Sequence, residues 1–220
     1  HYENSADHKR LIDDAYAFHQ TLGESIMHVL LNSDKTWFVV GSGIRTIDKL
    51  IVKNDKTTGY ENSFEDITAI SGDGTVTLRS ATMNNKLPED RTLYLETNHG
   101  GLFSDSVSIN AIKGLLYGET LAFTASTAGA PLAPYTKVKV ECPVDVYLTQ
   151  DGQTLSSTIG AANTQTDFGE MYLLGNDLDI KVAFVDDGGY DLRLNATDSG
   201  TMTLTVEYYN GVDNETPVKS

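Results

Sequence analysis

Asp73 and His99 are the two residues whose type and setting point most directly to chemistry. Asp73 stands between two glycines, Gly72 and Gly74, directly after an apolar run, and His99 follows another apolar run and precedes a pair of glycines. A carboxylate that holds one imidazole nitrogen fixes the tautomer of the ring and stabilises the imidazolium that forms when the ring accepts a proton. The pattern predicts an acid–base pair in which Asp73 orients His99. Taken singly, an Asp-Gly pair is a common turn and a lone histidine is usually structural.

Two short runs must position this pair, and both are predicted to be strands. Residues 66–70 precede the Asp73 turn and residues 92–96 precede His99. Open α/β sheets place their ligands at the carboxyl ends of neighbouring strands. We therefore expect Asp73 and His99 to meet at such an edge.

The rest of the first 120 residues alternates helical and strand patterns. Residues 5–31 predict a helix in two pieces that breaks or bends at Gly23, and residues 104–117 predict a second amphipathic helix. Residues 36–40, which end in Gly41-Ser42-Gly43, predict a buried parallel strand. Alternating helices and strands indicate an α/β layer architecture. The residues expected to face inward are Leu11, Ala15, Phe18, Leu22 and Ile26 in the first helix, and Val107, Ile109, Ile112, Leu115 and Leu116 in the second.

After residue 120 the apolar residues recur at every second position, which predicts antiparallel strands with one buried and one exposed face. Asp-Gly and Gly-Gly turns separate these strands, so we expect an all-β sandwich at 135–220, joined by a linker at 121–134 to an α/β unit at 1–120. Pro143 is predicted to lie at an edge or bulge within the first of these strands. The alternating sets are Val138, Val140, Cys142, Val144, Val146 and Leu148; Leu178, Ile180, Val182 and Phe184; Tyr190, Leu192 and Leu194; and Met202, Leu204, Val206 and Tyr208.

Three motifs in residues 10–117 resemble the lipases related to lecithin:cholesterol acyltransferase, a family with the α/β-hydrolase fold. Gly72-Asp73-Gly74-Thr75-Val76, followed by Leu78-Arg79-Ser80-Ala81, is similar to the motif of their catalytic acid. Val39–Gly43 with Thr46 resembles the strand and glycine turn that precede the acid. His99 and residues 102–115 resemble the histidine loop and final helix. The resemblance implies that Asp73 and His99 are the acid and base of a triad that acts on carboxylic esters, lipids among them.

The nucleophile of that family is not found in these 220 residues. Family order is serine, acid and histidine, with the serine in Gly-x-Ser-x-Gly, and that motif does not occur here. Ser25 follows Gly23 in a helical pattern without the second glycine, and Ser42 stands in the glycine turn. Neither is expected to be the nucleophile, and without an attacking hydroxyl the pair has nothing to activate.

The sequence therefore predicts the C-terminal portion of a lipase- or esterase-like serine hydrolase, followed by a β-sandwich and inactive alone. An incomplete sheet exposes a strand edge, so a missing N-terminal segment or a second copy of the chain is the expected partner. The alternative is a non-catalytic binding or adhesion module built on the sandwich.

Composition excludes several other classes of function. The net charge of −15 disfavours nucleic acid and anionic membrane surfaces, and no apolar run approaches the length of a membrane span. One cysteine permits no internal disulfide and fits a cytoplasmic or a secreted bacterial protein, so the compartment stays open. The aspartates at 177, 179, 186 and 187 could bind calcium, but their spacing does not match an EF-hand loop. We therefore predict no metal and no cofactor.

Overall fold

The computed structural model describes residues 6–53, 63–118, 128–141, 143–158, 164–175, 177–211 and 217–218, with the side chains of residues 6–8, 22–26, 53 and 63 left out. The fold mixes helices with strands, is rich in strands and contains antiparallel sheets. In chain order the elements are α1 (Ala6–Asn32), β1 (Phe38–Gly41), β2 (Ile44–Lys53), β3 (Ser63–Gly72), α2 (Leu78–Ala81), β4 (Thr92–Leu95), α3 (Ser106–Tyr117), β5 (Tyr135–Glu141), β6 (Val144–Gln150), β7 (Gln153–Ser156), β8 (Gln165–Thr166), β9 (Gly169–Leu174), β10 (Ile180–Asp186), β11 (Asp191–Ala196) and β12 (Thr203–Tyr209).

Helix α1 is one continuous helix rather than two pieces, because Gly23 costs helix stability without interrupting the hydrogen bonds. Its predicted inward face is also wrong where it is described: Leu11, Ala15 and Phe18 are exposed. The side chains of Leu22 and Ile26 lie outside the described residues. The periodicity is helical, but no described element covers the apolar stripe.

Strands β1 and β4 form a two-stranded parallel sheet, in which Val39 pairs with Leu93 and Gly41 with Leu95. Helix α3 packs on this sheet through Ala111 and Leu115. The inward face predicted for α3 is wrong at two positions, since Val107 and Leu116 are exposed. Small residues occupy the buried face instead, because they let the helix approach closely: Ser108, Ala111 and Gly114.

The strand predicted before Asp73 belongs to a different sheet from the strand before His99. Strand β3 pairs antiparallel with β2 in a long hairpin, with Ile44 opposite Gly72. Ile67 and Ala69 of this hairpin pack in one core with β5, β10 and β12. The hairpin thus joins the first half of the chain to the second.

Eight strands of the second half form two antiparallel sheets, ordered β12-β5-β10-β9-β8 and β11-β6-β7. Side chains from both sheets share one apolar core, including Val140, Val146, Leu155 and Val185. Strand β10 is buried on both faces rather than one, because the hairpin covers its second face. In β12 the predicted burial is wrong: Leu204 and Val206 are exposed, whereas Tyr209 is buried.

The alternating run around Pro143 is two strands rather than one. Strand β5 ends at Glu141 and β6 begins at Val144, in the other sheet. Pro143 lies in the connection, where its missing N–H costs no ladder bond; Cys142 lies outside the described residues. The alternation of apolar residues continues from β5 into β6, so the sequence pattern alone did not reveal that the chain passes from one sheet to the other.

The described part of the predicted linker is held by hydrogen bonds to two serines and by one buried leucine. Ala130 N–H donates to Ser42 Oγ at 2.9 Å, and Ser71 Oγ donates to the Ala130 carbonyl at 2.7 Å. Leu132 is buried in the core beneath the hairpin. Residues 121–127 lie outside the described residues.

No described helix combines the length and the apolar character needed to cross a membrane.

Candidate functional site

Asp73 is held in a tight turn directly after β3. Its Oδ1 accepts hydrogen bonds from the backbone N–H groups of Thr75 (2.9 Å) and Val76 (2.7 Å). Gly74 has a φ of +88°, a left-handed conformation that costs glycine little. The Gly74 N–H donates to Oγ1 of the buried Thr46 at 2.8 Å. Backbone N–H groups of the turn therefore fix the Asp73 carboxylate, and Thr46 of the hairpin fixes the turn.

The second oxygen of Asp73 contacts the predicted base. Oδ2 lies 2.8 Å from Nδ1 of His99, and the His99 backbone N–H donates to the Asp73 carbonyl at 2.8 Å. A carboxylate can only accept, so the bond requires the proton on Nδ1. That tautomer leaves Nε2 with a free lone pair. The structure thus joins the two predicted residues in the arrangement that suits a general base.

Burial and hydrogen bonding act in opposite directions on the pKa of Asp73. Burial, the largest single effect, raises the pKa. Hydrogen bonds from Val76, His99 and Thr75 together outweigh it, so the pKa lies below its ordinary value of 3.8. Asp73 is therefore ionised at neutral pH, as an orienting carboxylate must be.

The two side chains differ sharply in exposure. The Asp73 side chain is 5% exposed, whereas that of His99 is 52% exposed. A buried carboxylate thus holds an imidazole that is accessible from solvent.

The loop that carries His99 is held by side-chain hydrogen bonds from residues before and after His99. Thr97 Oγ1 donates to the Asp105 carboxylate, and the Gly101 N–H donates to Asn98 Oδ1 at 2.7 Å. The Asp105 carbonyl also accepts from the Ile109 N–H, and this is the first helical hydrogen bond of α3. These local bonds orient the loop toward the Asp73 turn.

Gly41, at the end of β1, lets the Asp73 turn approach the parallel sheet. A Cβ at this position would lie 2.6 Å from Cβ of Asp73 and 3.1 Å from the Thr97 carbonyl oxygen. The glycine turn in the sequence hinted at this position, but the close contact is visible only in the tertiary structure. A side chain here would push the carboxylate away from the imidazole.

Neither serine considered as a nucleophile is seen in that role. Ser42 is 1% exposed, and its Oγ accepts a hydrogen bond from Ala130. The side chain of Ser25 lies outside the described residues. Among the described residues, no hydrogen bond reaches Nε2 of His99.

The residues that follow the Asp73 turn have a structural role. Thr77 caps α2 by accepting from the Ser80 N–H, and Arg79 binds both oxygens of Asp48 on β2. Arg79 therefore anchors the segment after Asp73 to the hairpin. Within the described ranges, no three His, Cys, Asp or Glu side chains form a group that could hold a metal ion.

Comparisons with protein-family models, with curated proteins and with solved structures find no match to this chain.

Proposed function

We propose that this chain carries the catalytic acid and base of a serine hydrolase for carboxylic esters, and that polypeptide outside these 220 residues supplies the serine. The observation that carries the proposal is the bond between Asp73 and His99, with Asp73 held by two backbone N–H groups and the imidazole half exposed. Carboxylate and imidazole in this order are two thirds of a triad.

The proposed reaction follows from the protonation state of the pair. Nε2 of His99 takes the proton of a serine hydroxyl as the oxygen attacks the ester carbonyl. The imidazolium then returns that proton to the leaving alcohol, and water repeats the cycle on the acyl-enzyme. Asp73 stays ionised, orients His99 and stabilises its positive charge.

Uncovered surfaces in the first half of the chain support a larger fold around the pair. Parallel sheets normally have several strands with both faces covered, yet β1 and β4 form a sheet of two. All described side chains of α1 from residue 9 to 21 are exposed. We propose that β1, β4 and α3 are the last elements of an α/β-hydrolase sheet, which the serine-bearing part completes, and that residues 135–220 are an appended sandwich.

The test is ester hydrolysis by this chain and by the full reading frame that contains it. With p-nitrophenyl butyrate, we expect no turnover from the 220 residues. We expect turnover from a longer product with an upstream Gly-x-Ser-x-Gly, reduced about 10⁴-fold in Asp73→Asn and comparably in His99→Ala. Asp90→Asn, at an exposed carboxylate near β4, is the matched control and should retain full activity.

Two results would overturn the proposal. One is a full reading frame with no serine motif; the other is hydrolysis that survives His99→Ala. The 220 residues alone could hydrolyse the ester and lose that activity in His99→Ala. The nucleophile would then lie within these residues, and the proposal that another segment supplies it would be wrong.

A second candidate is a non-catalytic binding module, favoured by a cleft of about 530 Å³ that contains neither Asp73 nor His99. The cleft lies between the start of β2, the segment before β5 and the β8–β10 edge. Arg45 lies in it, over the Tyr135 ring and bonded to Glu170 and Asp186. A full reading frame without the serine motif would favour this candidate over the hydrolase.

A further inference from the structure

The two edges of the five-stranded sheet differ in length and protection. The β8 edge is only two residues long, whereas the β12 edge runs for seven. Short edge strands, prolines and lysines normally prevent an edge from pairing with another chain. Strand β12 contains neither proline nor lysine, and its one charged residue, Glu207, is paired with Lys137.

A hydrogen bond near the end of β12 shows which backbone groups face outward. The Val218 N–H donates to the Tyr208 carbonyl at 2.7 Å. Because Val218 does not belong to β5, this bond indicates that the Tyr208 carbonyl is on the side away from β5. In a strand, alternate residues direct their N–H and C=O groups to the same side. Leu204 and Val206 therefore present their backbone groups at the outer edge, and no backbone partner for them appears in the described part of the chain.

The side chains of the same residues form a neutral apolar row. Leu204 and Val206 pair with Val140 and Val138, so they lie on the face that covers the core between the two sheets. Both are nonetheless about 40% exposed, as is Met202. A cavity of about 280 Å³, lined mainly by apolar residues, lies beside Met202 at the open end of the two sheets.

We propose that β12 pairs antiparallel with β12 of a second copy of this chain, about a two-fold axis at Leu204. The edge accepts an extended, uncharged strand with apolar side chains at alternate positions, and β12 is itself such a strand. In this register Leu204 faces its own counterpart, and Met202 faces the counterpart of Val206. The paired segment runs from Met202 to Val206, and the Val218–Tyr208 bond lies outside it.

The pairing suits a two-fold interface in three respects. It is isologous, so the same surface serves both copies. It forms about six backbone hydrogen bonds, since each of three hydrogen-bonded pairs exchanges two. It also brings together neutral surfaces in a chain of net charge −15, so we expect association to strengthen as salt screens the remaining repulsion.

Sedimentation velocity from 1 to 300 µM, at 0.15 and 0.5 M NaCl, tests the interface. We expect a concentration-dependent dimer that Val206→Lys and Val206→Pro both abolish. Proline removes only the outward N–H, so the ladder with β5 persists and the circular dichroism spectrum should match the parent. Val107→Lys, at an exposed valine on α3, is the matched control and should leave the dimer unchanged.

Cysteine cross-linking tests the register in a Cys142→Ser background. Leu204→Cys places two thiols on residues whose Cα atoms are about 5.5 Å apart, within disulfide range, so oxidation should give a covalent dimer. Val206→Cys, which faces Met202, should give little. A monomer at every concentration, or a dimer lost in Val107→Lys but kept in Val206→Lys, would overturn the proposal. These outcomes do not depend on the Asp73–His99 pair.

Discussion

Asp73 is the residue on which the candidate site depends, because three donors converge on its two oxygens. Two are backbone N–H groups of its own turn, and the third is Nδ1 of His99. The carboxylate is 5% exposed, so water cannot replace a lost donor. The same bonds that orient His99 therefore also stabilise the folded chain.

Asp73→Asn should lower the free energy of unfolding by about 2 kcal/mol at pH 7, since hydrogen bonds to a charged acceptor are replaced by neutral ones. The folded pKa of Asp73 lies below 3.8. Its contribution is therefore complete above the unfolded pKa and is lost as the pH falls through the folded value. Urea unfolding from pH 7 to pH 2.5 should show the difference between the two proteins shrinking only below about pH 4. A difference that is constant over this range would contradict the prediction.

At the scale of elements, the β2–β3 hairpin connects the site to the sheets of the second half. Thr46 and Asp73 lie at the end where β2 begins and β3 stops, while Ile67 and Ala69 of β3 pack against β10. A buried lysine on β5, Lys137, crosses this contact. Its ammonium lies 2.8 Å from Asp66 on β3 and 3.4 Å from Glu207 on β12.

Lys137→Met should destabilise the fold by about 3 kcal/mol, because it leaves two largely desolvated carboxylates without their cation. Lys139→Met is the matched control on the same strand. Its partner Glu141 is 40% exposed, so this change should cost less than about 1 kcal/mol. Chemical unfolding of both variants measures the difference, and equal losses would contradict the prediction.

At the scale of the whole molecule, packing is very uneven. Strand β10 is buried on both faces, with Val182, Phe184 and Val185 fully inaccessible. Helix α1 is attached mainly at its end, where the Arg91 guanidinium donates to the carbonyls of Leu31 and Ser33. An exposed helix has little stability of its own in water.

Hydrogen exchange should separate these two regions. We expect amides of residues 9–21 to exchange orders of magnitude faster than those of β10. The proposed serine-bearing part would cover α1, so the full reading frame should protect residues 9–21 and leave β10 unchanged. Equal protection of α1 in the 220 residues and in the full reading frame would argue against the proposal that the serine-bearing part covers this helix. Mass spectrometry of peptides from each region provides the measurement.

The sequence alone determined those features that depend on local pattern. Helical periodicity located α1 and α3, and period two located the antiparallel strands after residue 120. The Gly72-Asp73-Gly74 turn and His99 were found from residue types, because glycine and aspartate favour a turn whatever surrounds them. Their catalytic role stays a prediction.

Only the tertiary structure decided which faces are covered and which strands are neighbours. The exposure of Leu11 and Leu204, the second buried face of β10 and the sheet crossing at Pro143 all depend on distant partners. The sequence predicted that Asp73 and His99 meet, but only the tertiary structure shows that they reach their 2.8 Å contact from strands of different sheets. A periodic pattern specifies that a face is apolar, but burial needs a second surface, and the sequence of one element does not say where that surface lies.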